Sequence, residues 1–154
     1  MEQELINVFV SHYHNDEEHI GKMKELLGER YSIRNYSVTS EKYNNAQSED
    51  YIKQLLRPLI KEAGTFICLI GSNTHDSKWV NWEIEQALKM GKRIIGVYTW
   101  GAKDSDIPIA LEDAADAIVG WNHDTIIDAI NGNNIFTNAD GTVRPNVGGS
   151  RVTC

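Results

Sequence analysis

The chain has 154 residues, 41% of them apolar and 24% charged, which suits one domain with a sizeable core. Its net charge of −7 argues against a nucleic-acid backbone as partner, and no apolar run approaches the length needed to cross a bilayer. The two cysteines, Cys68 inside an apolar run and Cys154 at the last position, make no disulfide framework, and the first ten residues lack a basic leader, so the expected compartment is the cytoplasm.

"INVFVS", Ile6 to Ser11, reads as a short strand. Asn15 with Glu18 has the form of a capping box for a helix that runs to about Leu27, with Ile20, Met23, Leu26 and Leu27 inward. "YSIRNYSV" is a weak second strand, followed by the polar loop "TSEKYNNAQ". Ser48 caps a helix with Ile52, Leu55, Leu56, Leu59 and Ile60 on its inner side, and Pro58 is expected to kink or break it. "TFICLIG", Thr65 to Gly71, is a continuous apolar run, the pattern of a central parallel strand. The loop "SNTHDSK" leads into a helix that opens with Trp79 and Trp82 and is ended by Gly91, "RIIGVY" is the next strand, and a short strand lies near Ala117 to Trp121. Asn122 caps a last helix.

Strands alternating with amphipathic helices imply an α/β domain with a flavodoxin-like, five-stranded parallel sheet and helices on both faces. That domain spans residues 1–131. Residues 132–154 form an Asn- and Gly-rich tail, which either turns a small hairpin at Asp140-Gly141 or is disordered, and Ile135, Phe136 and Val143 are the anchors expected to dock it, if it is ordered, on its own sheet edge or on a neighbour. The tail is expected to be dispensable for the fold.

Ligands of such sheets bind outside the carboxyl ends of the strands. Those ends are "SHYHND", "SVTSEKYNN", "GSNTHDS" and "YTWGAKD", none of which has a glycine-rich phosphate fingerprint. A phosphoacceptor receiver needs acidic residues where Ser11-His12 and Gly71-Ser72 stand, and a flavodoxin needs a Ser/Thr-rich loop in place of "SHYHND". His12, His14 and His75 lack the carboxylate support and spacing of a metal site.

"VFVSHYHND" and "FICLIGSNTHDSKWVNWEIEQALKMGKRIIGVY" resemble TIR domains, and within them the TIR-like ThsB proteins of bacterial Thoeris antiphage defence. The likeness spans roughly Ile6 to Ile130. In NAD-cleaving TIR domains a helix after the middle strand carries W-x-x-x-E with a catalytic Glu, and Trp79-Val80-Asn81-Trp82-Glu83 matches that pattern. The resemblance therefore implies a TIR fold and a catalytic Glu83. It also implies NAD⁺ as substrate, with no resident cofactor or metal. The product would be a cyclic or conjugated ADP-ribose-derived signal, made by glycohydrolase, cyclase or transferase chemistry. The implied partners are a signal-activated effector protein and further copies of this chain. Ser11, His12 and Tyr13 stand where similar positions contact NAD, although a solvent-exposed turn is the alternative reading. Ser40, Glu41 and Asn45 are candidates to cover the ligand, or else ordinary loop residues. The rival to an enzyme is a non-catalytic interaction module of the same fold.

On a helix, Val80, Ile84, Ala87 and Leu88 define a core face, and Trp79 and Glu83 are i, i+4 neighbours along its edge. Glu85 lies about 200° round the axis from Glu83 and is expected in solvent. Acids near a helix start also suit the dipole, which is a structural reason to find them. Trp79 could wall a nicotinamide or ribose. Trp82 has two readings, a packed boundary residue or a contact to a neighbouring subunit, and Trp100, Trp121, Tyr36 and Tyr43 read as core or surface aromatics.

Overall fold

An apolar run with no polar side has one stable place in a domain, between two covering layers. Thr65–Ile70 takes it as strand β3, buried along its whole length. The computed structural model describes residues 6–13, 18–34, 49–72, 74–99 and 101–142, the side chain of Asp76 excepted. In it β1 (Ile6–Ser11), β2 (Tyr31–Ile33), β3, β4 (Arg93–Tyr98) and β5 (Ala117–Val119) form one parallel sheet in the order β2-β1-β3-β4-β5. The expected flavodoxin-like fold is the one adopted.

Alternation along the strands divides the core in two. Val8, Val10, Ile67, Leu69, Ile95 and Val97 meet α1 (Glu18–Leu27) and α5 (His123–Ile130). Phe9, Phe66, Cys68, Ile70 and Ile94 meet α2 (Glu49–Glu62), α3 (Lys78–Lys89) and α4 (Ile109–Ala114). Phe9 and Phe66 are stacked, with centroids 5.4 Å apart. At Gly96 an added Cβ would come within 2.9 Å of Leu111 Cδ2 and 3.1 Å of Ile70 Cδ1, so α4 sits down on β4 where a side chain is missing. Asn122 caps α5 as expected, accepting from the Thr125 amide at 3.0 Å.

Several expectations need correction. Pro58 does not break α2, which runs through it from Glu49 to Glu62. Pro58 and Gln54 both lie on the exposed side, so the carbonyl that loses its amide partner is open to water. β2 ends at Ile33, and Arg34 is already in a turn, while residues 35–38 of the expected strand lie outside the described residues. The connection from β4 to β5, which shows no helical pattern in the sequence, contains a single 3₁₀ turn, Asp104–Asp106, and the two-turn helix α4. Leu88, assigned to the core face of α3, is 40% exposed, and Glu83 takes a buried place instead. The caps at Asn15 and Ser48, together with His14, Tyr36, Tyr43, Trp100, Val143 and Cys154, lie outside the described residues.

The chain also continues along the sheet beyond residue 131. The Ile118 amide donates to Ile135 O and the Thr137 amide to Ile118 O, each at 2.8 Å, making a parallel bridge between Ile118 and Phe136. Ile135 packs against the α1/α5 side and Phe136 against the other. Arg93 donates to Ala129 O and Asn133 O, at 2.6 and 2.8 Å, and so pins the turn between them. Asn138 to Thr142 then form a tight turn, with Gly141 at φ +91°. Hydrogen bonds from the hydroxyl and amide of Thr142 hold the Asp140 carboxyl below the ordinary carboxylate range.

Candidate active site

The sheet order changes direction between β1 and β3, and the crevice above their carboxyl ends is where open parallel sheets take ligands. β1 points Val8 and Val10 toward α1. Phe9 and, two residues on, Ser11 therefore point toward α3. Ser11 is the last residue of β1, level with Cys68 of β3.

α3 is aimed from the other side. Thr74 Oγ1 accepts from the Gly71 amide at 2.7 Å, and the Ser77 amide donates to Thr74 O at 3.0 Å, so the chain leaving β3 turns sharply into the helix. Ser77 caps it by accepting from the Val80 amide at 3.2 Å, and Asn81 Nδ2 donates back to Ser77 O at 2.9 Å. Val80, Ile84 and Ala87 fix the inner face, and Glu83 falls among them. The first turn of α3 contains no acid, so the helix dipole does not account for Glu83 or Glu85.

Ser11 and Glu83, 72 positions apart in sequence, meet here. The Ser11 hydroxyl donates to Glu83 Oε1 at 2.7 Å, the short distance of a strong bond to a carboxyl oxygen, and both residues have zero exposure. Glu83 is thus inside, not at the edge where helical geometry alone puts it. Glu85 is exposed, as expected. Burying a carboxyl group is costly unless hydrogen bonds satisfy it, so this arrangement holds Glu83 in one fixed geometry.

His12 is also fully buried, with Nδ1 3.3 Å from Val10 O, and Tyr13 is half-buried. Neither occupies a solvent-exposed turn. Trp79, one turn before Glu83, is half-buried against the α2–α4 core and meets Trp82 edge to face, with centroids 5.9 Å apart. Trp82 packs within the chain. Lys53 Nζ and Arg57 Cζ of α2 lie 5.5 and 5.3 Å from its ring centre. Ser40 and Asn45, expected to contact the substrate, lie outside the described residues, as does Glu41. Among the described residues no group of His, Cys, Asp and Glu could hold a metal ion.

Two residues at this edge were not singled out from sequence. Thr74 is fully buried and shapes the β3–α3 turn. Thr99, just past β4, donates its hydroxyl to Ile70 O at 3.0 Å, which ties the ends of β3 and β4 together. A Thr directly after a strand end is the available signal, but it is common in ordinary turns.

The solved structures to which the chain is similar include these three, and each likeness extends to the fold alone. The first is the 2-deoxyribosyltransferase of Bacillus psychrosaccharolyticus, with TM-score 0.58 and 15% identity over 78% of this chain and 89% of that one. The second is the CMP N-glycosidase of Clostridium botulinum, with TM-score 0.52 and 20% identity over 81% and 97%. A conserved protein of Enterococcus faecalis gives TM-score 0.51 and 8% identity over 82% and 98%. No curated protein matches the sequence. The family model of the Thoeris protein ThsB, TIR-like domain, matches residues 9–104, more than half of the chain and including the end of β1, all of α3 and the Ser11–Glu83 contact between them. The chain belongs to this ThsB TIR-like family of Thoeris defence proteins.

Proposed function

We propose that the chain cleaves the nicotinamide–ribose bond of NAD⁺ and passes on an ADP-ribose-derived signalling nucleotide, cyclic or conjugated, in antiphage defence. The observation that carries this reading is the buried Ser11–Glu83 pair at the β1/β3 switch point. Support also comes from the two neighbours of the same fold whose names denote enzymes acting at bonds between a sugar and a base.

The chemistry asks little of the protein. The bond from ribose C1′ to the pyridinium nitrogen breaks with its electron pair going to the ring, so nicotinamide leaves neutral and needs no acid. The positive charge that develops on the ribose is what must be stabilised. A carboxylate fixed beside C1′ does this by charge and by accepting hydrogen bonds from ribose hydroxyls. In this reading a ribose hydroxyl takes over the bond that Ser11 makes to Glu83, exchanging one hydroxyl donor for another. Trp79 covers the ring, and His12 and Tyr13 close the β1 side. Water capture of the cation gives ADP-ribose and a proton. Capture by a nucleophile on the same or another molecule gives a cyclic or conjugated product, favoured where water is kept out.

The test is mass spectrometry of NAD⁺ incubated with purified, assembled protein and with Glu83→Gln. Wild type should release nicotinamide and a new ADP-ribose species, and the variant should keep its melting temperature and lose the product. Since self-association is part of this reading, turnover per molecule should also rise with protein concentration. A turnover that stays flat while the protein remains monomeric counts against assembly.

The non-catalytic interaction module is favoured by one observation, the zero exposure of Glu83. A carboxyl group that serves only to bind Ser11 looks the same at rest. If nicotinamide is absent at every protein concentration and Glu83→Gln lowers only the melting temperature, the module is the better reading.

A further inference from the structure

On the same carboxyl edge, beyond the Ser11–Glu83 pair, the ends of β4 and β5 diverge around a second cleft of about 430 Å³, lined by Tyr98, Thr99, Gly101, Gly120, Trp121 and Ala139. From β1 the sheet steps through β3 and β4 to β5, three strand spacings or about 14 Å. Two nucleosides joined by a pyrophosphate can span that separation. None of the described residues lining the cleft carries a charge, so its chemistry suits a neutral ring and not a phosphate. Its walls are aromatic on one side and bare backbone on the other. Trp121 is half-buried and steadied edge to face by His19, with centroids 5.9 Å apart. Gly101, at φ +86°, and Gly120 leave open space where a side chain would stand, for an added Cβ meets no atom within 4 Å at either position. The Thr99 hydroxyl, which donates to Ile70 O, still has an acceptor lone pair that an exocyclic amine can use.

We propose that this cleft binds the adenine of the dinucleotide substrate, with the indole of Trp121 as its stacking wall. The proposal rests on NAD⁺ being that substrate. It assigns the two halves of the molecule to two places on one edge: the nicotinamide riboside to the crevice over β1 and β3, and the adenine to the cleft over β4 and β5. Aromatic stacking in a neutral cleft gives affinity for a base without requiring a basic patch.

The test is amide-resolved NMR titration of the full chain with AMP and, separately, with nicotinamide mononucleotide. AMP should give saturable shifts at Gly101, Gly120 and the Trp121 indole, and nicotinamide mononucleotide should leave those signals in place. Gly120→Leu, which builds a side chain into the open space without a strained backbone, should weaken AMP by about tenfold or more. Gly120→Ala should show a smaller loss, and serves if the leucine variant does not fold. The proposal is overturned if AMP gives no saturable shifts, if both ligands move the same cleft signals, or if Gly120→Leu and Gly120→Ala bind AMP like wild type. NAD⁺ turnover measured on the same samples separates the two readings. Turnover with an unchanged KM in Gly120→Leu removes the adenine cleft and leaves Glu83 as proposed. AMP in the cleft without turnover retains a nucleobase site and removes NAD⁺ cleavage.

Discussion

Glu83 and Glu85 are the same side chain, two residues apart on one helix, in opposite surroundings. Glu83 stands on the inner face of α3 among Val80, Ile84 and Ala87, fully buried and bonded to Ser11. Glu85 stands on the outer face, which also carries the exposed Leu88 and Lys89. The inner face breaks the rule that charge stays in water, and the outer face breaks the rule that leucine stays out of it. The second exception is ordinary, because folded surfaces contain many apolar atoms, whereas a buried carboxyl group must be matched by a specific partner. The contrast teaches that the informative residue on an amphipathic helix is the polar one inside.

The largest effect that can break this comparison is on chemistry. Glu83→Gln keeps the shape and an oxygen able to accept from Ser11, but removes the charge. It is expected to lower NAD⁺ turnover by roughly two to three orders of magnitude with the fold intact, as when a charge-stabilising group is lost. Glu85→Gln should leave turnover unchanged. Equal losses in two folded variants would mean that burial does not distinguish them.

Packing gives the next largest effect. Ile84→Ala removes a fully buried side chain from the α2–α4 core and should cost about 2–5 kcal/mol in chemical denaturation. Leu88→Ala, one turn on and 40% exposed, should cost less than about 1 kcal/mol. A Leu88 variant as damaging as Ile84→Ala would show that the outer face is covered in solution.

Where the sequence was readable, and where it was not, follows the same division. β1 and β4 were legible to the residue, and β3 to within one, because β-branched runs flanked by polar residues admit few alternatives. So was the W-x-x-x-E placement on α3. Helical periodicity also separated Glu83 from Glu85 in direction. It could not put Glu83 inside, because its partner Ser11 is 72 positions away and a periodic pattern treats every acid as solvated. The helix α4 escaped notice because it is six residues long, begins after Pro108 and has no side-chain cap. Leu88 misled for the opposite reason, since a leucine at helical spacing counts as core whether or not anything covers it. The partial sixth strand at Ile135–Thr137 lies in an Asn- and Gly-rich context that carries no strand signal. Two apolar residues, the open edge of β5 and hydrogen bonds from Arg93 to Asn133 O, from Tyr98 to Thr137 O and from the Ala139 amide to Asp104 bring it in.

That added segment changes what is expected of the tail. Ile135 and Phe136 are each about half-buried, on opposite sides of the sheet, and Phe136 packs against the core that contains the inner face of α3. A truncation ending at Gly132 removes both, uncovers the β5 edge and leaves Arg93 without its bond to Asn133 O. From about half the burial value of two large side chains, the melting temperature should fall by roughly 5–10 °C, in contrast to the dispensable tail expected from composition. A truncated chain that melts with wild type would return residues 132–154 to the status of an appendage.

The smallest expected effect sits at the start of α3, where inner and outer faces are first set apart. Ser77 is in extended conformation, at φ −76° and ψ 115°, and its hydroxyl oxygen accepts from the Val80 amide at 3.2 Å. Val80 is the first inner residue, and Glu83 lies one turn further along the same face. Ser77→Ala leaves that amide without its side-chain acceptor and should cost about 1 kcal/mol, whereas Ser77→Asp or Ser77→Asn keeps an acceptor and should cost much less. The second consequence concerns the site. The helix start is held separately by the Asn81 amide donating to Ser77 O at 3.1 Å and by Asn81 Nδ2 donating to the same carbonyl at 2.9 Å. Those bonds do not involve the Ser77 side chain, so Ser77→Ala should loosen the first turn without rotating the helix. Glu83 should then stay on Ser11, and turnover at saturating NAD⁺ should change by less than about threefold, the equivalent of well under 1 kcal/mol. A loss of turnover matching that of Glu83→Gln would show that the direction of the buried carboxyl is set at the cap and not by the packing of Val80, Ile84 and Ala87.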